Sequence, residues 1–308
     1  MATCLLCGMP MVFQFKVRDH LRPEMETEYE VELCRACRYA RVVGEFTADQ
    51  VASFYTSGYH THEETDAPAK PTLWLDRLLF HLAWRRDRGL DLAANEVPRT
   101  KEHPALCDVG CGAGLMMAKF KQAGYQVVGI EPDAAARAIA SKNGEVLEGT
   151  AETSPVALGG RQFDVVLLSH VLEHCIDLVS ALRSVKRLLA ADGTAILEVP
   201  NNGSVAAEML GPEWFFADIP RHLHFFTEGS LRAALGMAGL RVTRTLYTGY
   251  ARQFSPEWLE GQQRIRASIG TEGWNRNAWE LLARTAFSGA PGKYDSVRVH
   301  AVHEDAGA

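Results

Sequence analysis

The sequence predicts an α/β fold in which a doubly wound parallel sheet follows a small cysteine-bearing module. Two observations support this prediction. From residue 105 onward, short apolar runs alternate with segments of helical periodicity, which is the pattern of consecutive βαβ units. Ahead of that pattern, the first 37 residues contain two pairs of cysteines, and two residues separate the members of each pair. A chain of 308 residues is long enough to form both units.

The composition narrows the possible partners. Hydrophobic residues make up 47% of the chain and charged residues 23%, as in ordinary globular proteins. There is no apolar run of about 18 residues and no basic start of a signal peptide, so we expect a cytoplasmic protein that does not contact a membrane. A net charge of −6 disfavours nucleic acid as a partner and favours a small-molecule substrate. No pattern in the sequence indicates an oligomeric state.

Residues 1–44 are predicted to form a zinc-ribbon-like module. Two segments of alternating character, 11–16 and 28–33, are typical of a hairpin. Four thiolates fill a tetrahedral zinc site and leave no open position, so the expected Zn²⁺ is structural. The predicted ligands form two C-x-x-C pairs: Cys4, Cys7, Cys34 and Cys37.

Residues 45–98 are predicted to link this module to the main domain. Leucines at helical spacing between residues 72 and 95 indicate a helix in this segment. His60 and His62 could serve as additional metal ligands, although such residues more often line a groove or cap a contact between domains.

Residues 99–308 are predicted to form the main α/β domain. Its strands are expected at 105–109, 126–130, 145–148, 163–168, 194–199, 240–247 and 296–303. Its helices are expected at 115–123, 134–142, 178–190 and 228–238. A helical insertion at about 254–288 precedes the last strand.

A glycine-rich loop follows the first strand of this domain and opens the next helix. It reads Asp108-Val-Gly110-Cys-Gly112-Ala-Gly114. Glycines let a backbone approach a ligand closely, and the amides at a helix N-terminus attract a carboxylate or a phosphate. The dinucleotide fingerprint requires a further glycine at position 115, where this chain has leucine. A plain tight turn that caps the helix is the alternative interpretation.

Two acidic residues beside the loop indicate which ligand it holds. Asp108 lies just before the loop and could bind the ammonium group of a ligand, which a pyrophosphate would not require. Glu131 ends the next strand, 21 residues after Gly110, where its carboxylate can accept both hydroxyls of a ribose. One acid for an amine and one for a ribose fit S-adenosylmethionine.

A cluster of ionisable side chains follows the fourth strand. The segment His170-Val-Leu-Glu173-His174 lies where ligands bind in parallel α/β sheets, beyond the carboxyl ends of the strands. Residues at i, i+3 and i+4 share one face of a helical turn, so the three side chains could converge. They could remove a proton from an acceptor, bind a second metal ion that activates the acceptor, or only shape the loop.

The loop after the fifth strand is predicted to face the same pocket. It contains His222 and His224, which are further candidate catalytic residues, and Arg221, which could bind an anionic acceptor. A polar loop that caps the following helix is the alternative. The aromatic residues ahead of this loop are expected to form an apolar wall of the pocket or part of the core: Trp214, Phe215 and Phe216.

Together these motifs resemble those of class I S-adenosylmethionine-dependent methyltransferases. They are Asp-Val-Gly-Cys-Gly-Ala-Gly from residue 108, Val-Gly-Ile-Glu-Pro-Asp from residue 128, Phe-Asp-Val-Val-Leu-Leu-Ser-His-Val-Leu-Glu-His from residue 163, and Pro-Arg-His-Leu-His-Phe-Phe-Thr from residue 220. The resemblance covers about residues 72–250. The paired cysteines followed by Phe-Tyr-Thr-Ser-Gly-Tyr from residue 54 are similar to methyltransferases of sugar and secondary-metabolite pathways, including nucleotide-sugar C-methyltransferases.

The resemblance implies a Rossmann-like, seven-stranded methyltransferase sheet and a set of cofactor-binding residues. Asp108 and the glycines of the loop would hold the methionine end, and Glu131 would hold the ribose. The residues implied for the adenine and for the sulfonium are, respectively, Thr150 with Ala151 and Ser169 with His170. The chain departs from the family at two places. Threonine stands at position 150, where the family usually has aspartate, and only about 60 residues follow the sixth strand, where the sugar C-methyltransferases carry a further domain.

The predicted function is methyl transfer from S-adenosylmethionine to a small natural-product or sugar-type acceptor. Direct displacement needs an aligned nucleophile and a base, and His174 is the expected base, with His170 or Glu173 assisting. Three alternatives remain: a non-methyl transfer or cyclisation with the same cofactor, a zinc-ribbon RNA methyltransferase, and a non-enzymatic zinc adaptor.

Overall fold

The computed structural model describes residues 2–22, 24–55, 74–86, 92, 96–97, 101–268 and 274–305. The strands are β1 (Met11–Arg18), β2 (Glu28–Cys34), β3 (Ala40–Val42), β4 (Ala105–Val109), β5 (Gln126–Glu131), β6 (Glu145–Glu148), β7 (Phe163–Ser169), β8 (Leu189–Pro200), β9 (His224–Phe225), β10 (Leu240–Thr248) and β11 (Ser296–His303). The helices are α1 (Ala48–Ser53), α2 (Trp74–Arg86), α3 (Leu115–Gln122), α4 (Ala134–Ala140), α5 (Ser154–Ala157), α6 (Leu178–Leu188), α7 (Val205–Leu210), α8 (Glu228–Met237), α9 (Pro256–Ser268), α10 (Trp274–Ala286) and α11 (Ala290–Lys293).

Seven strands form the main sheet in the order β10-β11-β8-β7-β4-β5-β6. β4 pairs in parallel with β5 and with β7, and only β11 runs antiparallel to its two neighbours. The chain winds outward from β4 in one direction and from β7 in the other, so the order of the strands reverses between these two. In sheets of this kind ligands bind at that reversal, beyond the carboxyl ends of the strands. The predicted Rossmann-like, seven-stranded α/β fold is confirmed.

Both faces of the main sheet are covered. Leu106 and Val165 pack with Phe120 of α3 on one face. Their sequence neighbours Cys107 and Val166 belong to the core on the other face, which also contains residues of α6 and α8. Successive side chains of a strand point to opposite faces, so burial on both sides makes these strands nearly continuous apolar runs. This is why their positions could be predicted closely.

The N-terminal module forms a second sheet of four antiparallel strands in the order β1-β2-β3-β9. Its last strand comes from the main domain, because β9 pairs Phe225 with Ala40 and His224 with Arg41. The prediction that His224 lies on a loop facing the pocket was therefore wrong, because residues 224 and 225 form a strand. Backbone hydrogen bonds between β3 and β9 therefore connect the module to the main domain.

A second core lies between the N-terminal sheet and the helices around the main sheet. It includes Val31 of β2, Leu79 of α2, Leu210 of α7, Leu259 of α9 and Leu281 of α10. α9 and α10 lie between β10 and β11, which confirms the predicted helical insertion. Among the described residues, none of the helices has the length and apolar character that crossing a bilayer requires.

Four predicted helices of the main domain end one or two residues earlier in the structure: α3, α4, α6 and α8. α6 ends at Leu188 and β8 begins at the next residue, whereas the helix was expected to reach position 190 and the strand to begin at 194. The reason is that Leu189 pairs with Phe163 of β7, which extends the strand backward. The described part of the helix predicted at 72–95 is α2, since residues 72–73 and 87–91 lie outside the described residues. His60 and His62 also lie outside them.

Candidate active site

The glycine loop lies at the carboxyl end of β4, at the reversal of strand order. Gly110 has a φ of 72°, and a Cβ atom there would lie 2.5 Å from Cγ2 of Val171. Only glycine fits this position without strain, so the loop packs directly against the segment that carries His170. Gly112 has a φ of 52°, and a Cβ atom there would meet no atom within 4 Å. The loop is therefore closed on the side of Gly110 and open above Gly112. Gly114 is the left-handed residue that precedes α3.

Asp108 carries a buried carboxylate without a complete set of partners. Its side chain is 2% exposed, and Oδ2 has no hydrogen-bond partner. Burial, with a smaller contribution from the charge of Glu131, raises the pKa of Asp108 to about 7. A buried hydrogen-bond acceptor without a donor destabilises the fold. An ammonium group would donate a hydrogen bond to Oδ2 and neutralise the charge of the carboxylate. The site therefore fits the amino group of S-adenosylmethionine.

The carboxylate of Glu131 is held by backbone amides at the same edge. Oε2 accepts from the amide of Gly112 at 2.8 Å, and Oε1 accepts from the amide of Asp133 at 3.0 Å. These bonds fix the side chain at the end of β5, next to the glycine loop. The structure thus brings the two predicted acids to neighbouring strand ends, with the loop between them.

The residues expected around the adenine and the sulfonium also lie at this edge. Thr150 and Ala151 follow the end of β6, where Thr150 is exposed and Ala151 is 4% exposed. The amide of Thr150 donates to Oγ1 of Thr153 at 2.9 Å, which shapes the turn into α5. Ser169 is the last residue of β7, beside the glycine loop.

His170 lies between two carboxylates. Its Nδ1 is 3.2 Å from Oε1 of Glu173, and its Nε2 is 3.7 Å from Oε1 of Glu198. Burial acts to lower the pKa of His170, but these two carboxylates outweigh it and raise the pKa to about 9. The ring also stacks on Phe216, with 5.2 Å between the centroids. At neutral pH, His170 is therefore a cation rather than a base.

The rings of His174 and His222 pack against each other edge to face. Their centroids are 4.6 Å apart, and the planes are nearly perpendicular. Nδ1 of His222 lies 2.8 Å from the carbonyl oxygen of Phe216, which can only accept, so Nδ1 donates and Nε2 keeps its lone pair. Burial and the neighbouring His174 lower the pKa of His222 to about 4. His222 is therefore neutral at physiological pH.

The pair is completed by Glu173 and by a tyrosine from the linker. Side-chain atoms of Glu173, His174 and His222 that can bind a metal all lie within 4.8 Å of one another. Oε2 of Glu173 is buried and has no hydrogen-bond partner. The hydroxyl of Tyr55 lies 2.9 Å from Nδ1 of His174, which is also 3.0 Å from the carbonyl oxygen of Arg221.

Two residues of the 220–226 segment do not join this group. His224 lies on β9, where Nε2 bonds to the carbonyl oxygen of Cys175 at 2.9 Å and Nδ1 lies 2.6 Å from the hydroxyl of Tyr39. It therefore links the N-terminal sheet to the segment that follows β7. The guanidinium of Arg221 is fully buried and paired with Asp19 and Asp218, so the expectation that it binds an anionic acceptor was wrong.

The aromatic residues predicted as a wall divide into two roles. Trp214 is 2% exposed and belongs to the second core. Phe216 contacts His170 and also Trp258 of α9, with 4.8 Å between the centroids of the two aromatic rings. Phe215 packs closely on the same tryptophan, at 4.2 Å. Phe216 thus forms the part of the wall that reaches the candidate site.

Sequence reasoning missed Glu198 and gave no role to Tyr55. Glu198 was included in a predicted strand, but a charged residue within the apolar run of β8 is itself unusual and signals a buried partner. Its Oε2 accepts from Nε of Arg298 at 2.7 Å, and its Oε1 accepts from Thr248 at 2.7 Å. Tyr55 reaches His174 over 119 positions of sequence, which no local pattern indicates.

The four predicted metal-binding cysteines converge at one end of the N-terminal sheet. Their Sγ atoms all lie within 4.8 Å of one another, with 3.5 Å both from Cys4 to Cys37 and from Cys7 to Cys34. A zinc ion about 2.3 Å from each sulfur would place tetrahedral sulfurs roughly 3.8 Å apart, close to these distances. The donor set and its geometry therefore fit Zn²⁺. A disulfide does not fit, because its sulfurs are only about 2.05 Å apart.

Comparison with known proteins identifies relatives of the main domain. The family described as a methyltransferase domain matches residues 77–245. The ubiquinone biosynthesis O-methyltransferase of Azorhizobium caulinodans is 30% identical over 200 residues, which cover 61% of this chain and 74% of that protein. The protein of the same name from Cereibacter sphaeroides is 32% identical over 179 residues, which cover 54% and 70%. A solved S-adenosylmethionine-dependent methyltransferase from Archaeoglobus fulgidus has 19% identity and a TM-score of 0.47, and the match covers 73% of this chain and 93% of that one.

The chain belongs to the class I S-adenosylmethionine-dependent methyltransferases. It is an enzyme, and its methyl donor is S-adenosylmethionine. The predicted family and enzyme class are thus confirmed.

Proposed function

We propose that this methyltransferase modifies a small natural-product or sugar-type acceptor, with His174 as the base that removes the acceptor's proton. The observation that carries the proposal is the His174–His222 pair, since His174 belongs to the segment after β7 that packs on the glycine loop through Val171. The named activity of the two relatives, O-methyl transfer in ubiquinone biosynthesis, supports an oxygen atom as the methyl acceptor.

We assign the cofactor to the edge formed by β4, β5, β6 and β7. Asp108 would bind the amino group, the amides of the glycine loop the carboxylate, and Glu131 the ribose hydroxyls. Thr150 and Ala151 would flank the adenine, and Ser169 would lie near the sulfonium. When bound, the cofactor supplies an electrophilic methyl group on a positively charged sulfur. For Glu131 to reach the ribose, it would exchange its bond to the amide of Gly112 for ligand hydroxyls.

A hydrogen bond at one ring nitrogen of His174 leaves the other nitrogen able to accept a proton. Nδ1 of His174 donates to the carbonyl oxygen of Arg221, so Nε2 carries the lone pair. As the bond between the acceptor oxygen and the methyl carbon forms and the bond from that carbon to sulfur breaks, Nε2 takes the acceptor's proton. Neutral His222 lies against this ring and adds no positive charge to oppose protonation. His224 is proposed to support the segment that carries His222.

His170 and Glu173 have a different role in this proposal. His170 is an imidazolium held by Glu173 and Glu198, and it stacks on Phe216. Its position at the end of β7 orients the acceptor and fixes the carboxylate of Glu173 beside His174. His170 and Glu173 thus position the groups around His174 and do not take the proton themselves.

Metal assistance is the second candidate mechanism, and one observation favours it. Glu173, His174 and His222 place three ligand atoms within 4.8 Å, and Oε2 of Glu173 has no hydrogen-bond partner. A divalent cation there would lower the pKa of a bound acceptor hydroxyl. His170 does not take part, since its ring nitrogens face Glu173 and Glu198.

The N-terminal cysteines are proposed to bind one structural Zn²⁺. The two knuckles have the same backbone form, because the amides of Gly8 and Arg38 donate to the carbonyl oxygens of Cys4 and Cys34. Four thiolates leave no position for substrate. We also propose that residues 1–44, 45–98 and 99–308 act as module, linker and catalytic domain, joined through β9.

The test is turnover of labelled S-adenosylmethionine with a panel of phenols, hydroxylated polyketides and sugar nucleotides. S-adenosylhomocysteine as the product marks methyl transfer, and methylthioadenosine marks transfer of another group. His174→Ala should lower turnover about 10²- to 10⁴-fold, as loss of a general base does. Binding of S-adenosylhomocysteine should be unchanged. His103→Ala, which changes an exposed histidine, is the matched control. Wild-type turnover in His174→Ala would refute the base.

A further inference from the structure

A buried ionic cluster connects the N-terminal module to the segment that follows β8. Asp19, directly after β1, is 1% exposed, and the side chain of Arg221 is not exposed at all. Nη2 of Arg221 donates to Oδ1 of Asp19 at 2.8 Å, and Nη1 donates to Oδ2 at 3.1 Å. Nε donates to Oδ1 of Asp218 at 2.8 Å. Asp19 forms a bidentate salt bridge with one side of this planar guanidinium, and Asp218 binds the other side. The guanidinium is therefore fixed in a single orientation.

The backbone of the same arginine reaches the proposed base. Its carbonyl oxygen lies 3.0 Å from Nδ1 of His174, and the next residue, His222, packs against that ring. The amide of Leu223 donates to the carbonyl oxygen of Glu173 at 2.7 Å. The orientation of residues 221–223 therefore sets where both histidine rings lie.

The module holds Asp19 itself in place. The amide of Leu21 donates to its Oδ1 at 3.0 Å, and Nε of Arg22 donates to its Oδ2 at 2.8 Å. Arg22 also donates to the carbonyl oxygen of Ser53 at 3.0 Å, close to Tyr55. The loop of residues 19–22 therefore supports two contacts to the histidine pair. Asp19 holds Arg221, and Arg22 holds the backbone that precedes Tyr55.

We propose that Asp19 is a positioning residue for His174 and His222, and that it acts through Arg221. The N-terminal module then completes the active site of the main domain. This inference rests on the proposed function, because it takes the two histidines as the reacting side of the pocket. Asp19 does not touch substrate in this account. It fixes a backbone segment, and that segment fixes the base.

The test follows the histidine rings directly and needs no acceptor. In the full chain with ¹³C-labelled histidine, the Cε1–H resonances are assigned with single His→Gln variants and recorded at one pH with S-adenosylhomocysteine. Asp19→Asn should displace the resonances of His174 and His222. Those of the exposed His81 and His103 should stay in place. Asp19→Glu, which restores the charge, should return both displaced resonances toward their wild-type positions.

Two further variants and one control keep the test decisive if Asp19→Asn does not fold. Arg221→Lys keeps the charge and loses the planar fork, so it should displace the same two resonances. Tyr55→Phe should displace the resonance of His174 alone. Tyr247→Phe, which removes a hydroxyl that donates to Glu228, is the control and should displace neither resonance. Wild-type resonances of His174 and His222 in folded Asp19→Asn, or in Arg221→Lys, would overturn the proposal.

The kinetic readout separates this inference from the proposed function. With any acceptor that is turned over, Asp19→Asn should lower kcat by about 10²-fold, as a misplaced catalytic group does, while KM for S-adenosylmethionine changes little. A general loss of structure would instead raise KM for S-adenosylmethionine, whereas a lower Tm is expected in either case, because Asp19→Asn removes one charged partner of the buried Arg221. If His174→Ala keeps its turnover, the proposed base fails, and the resonance test still decides whether Asp19 positions the rings.

Discussion

At the scale of single residues, the burial of Asp108 makes cofactor affinity depend on pH. Its carboxyl group has a pKa of about 7 because it is buried and faces Glu131. An ammonium group binds the ionised form, so protonation competes with binding. Cofactor affinity should therefore depend on pH across the neutral range.

The affinity for S-adenosylhomocysteine is expected to fall about tenfold for each pH unit below 7. It should level off above that pH, where Asp108 is already ionised. Isothermal calorimetry between pH 5 and 8 measures this dependence. Asp108→Asn should bind weakly and show little variation with pH. A wild-type affinity that stays constant from pH 5 to 8 would contradict the role of Asp108.

Gly110 provides a second test at this scale. Gly110→Ala places a Cβ atom 2.5 Å from Val171 at a left-handed φ, and should cost about 1–3 kcal/mol together with most cofactor binding. Gly159→Ala is a matched control, since it also has a positive φ but meets no atom within 4 Å. Urea unfolding and cofactor titration of both variants check the difference. Equal losses in the two variants would show that contact with Val171 is unimportant.

At the scale of elements, the sequence identified every strand of the main sheet, including the four-residue β6, and missed β3 and β9 of the N-terminal sheet. Apolar runs such as 105–109 and 296–303 were predicted with their observed bounds. β9 has two residues and exists because it pairs with β3, more than 180 positions earlier. Local periodicity contains no information about such a partner, so His224 was assigned to the pocket rather than to the sheet.

The same limit applies to the candidate site. His170 and Glu173 do meet, as their spacing indicated, but not on one helical turn, because His170 has a φ of 55° and precedes the 3₁₀ turn Leu172–His174. The orientation of His174 is set instead by Arg221, His222 and Tyr55, all distant in sequence. The assignment of roles to these residues stays a prediction.

Zinc is expected to be a structural requirement of the N-terminal sheet. Cys34→Ser removes one of four thiolate ligands, so zinc content should fall from one ion per chain to near zero. The loss of a structural ion costs several kcal/mol, which for a chain of this size lowers Tm by roughly 10 °C. Metal analysis and a thermal melt measure both quantities, with His103→Ala as the control. Full zinc content in Cys34→Ser would rule out this site.

At the scale of the whole molecule, buried neutral histidines tie stability to pH. His222 is 4% exposed, and burial lowers its pKa from the ordinary 6.5 to about 4. The unfolded chain therefore binds one more proton than the folded chain between pH 4 and 6.5. The stability that this group contributes is present above pH 6.5 and is lost as the pH falls toward 4.

His222→Gln is expected to change the slope of stability against pH. Within the window from pH 4 to 6.5, the free energy of unfolding of the variant should depend on pH less steeply than that of the wild type, by at most about 1.4 kcal/mol per pH unit. Urea unfolding at several pH values gives both slopes. His103→Gln, at an exposed position, should keep the wild-type slope. An unchanged slope in His222→Gln would show that this ring is protonated in the folded chain.

The N-terminal module, the main sheet and the inserted helices meet around one set of side chains. Asp19 and Tyr55 approach from the module and linker, His170 and His174 from the end of β7, and Trp258 from the insertion. This arrangement places a metal-stabilised module beside the proposed base. We therefore expect one structural ion and one cofactor per chain.

Native mass spectrometry of the full chain, with metal analysis of the same sample, is the decisive test of the zinc site and the cofactor site. The predicted result is one zinc and, after addition of S-adenosylmethionine, one cofactor on each 34.0 kDa chain. A second metal ion that is lost in His174→Ala would contradict the histidine base and favour the metal-assisted mechanism. A chain that binds no cofactor after its addition would contradict the assignment of Asp108, the glycine loop and Glu131.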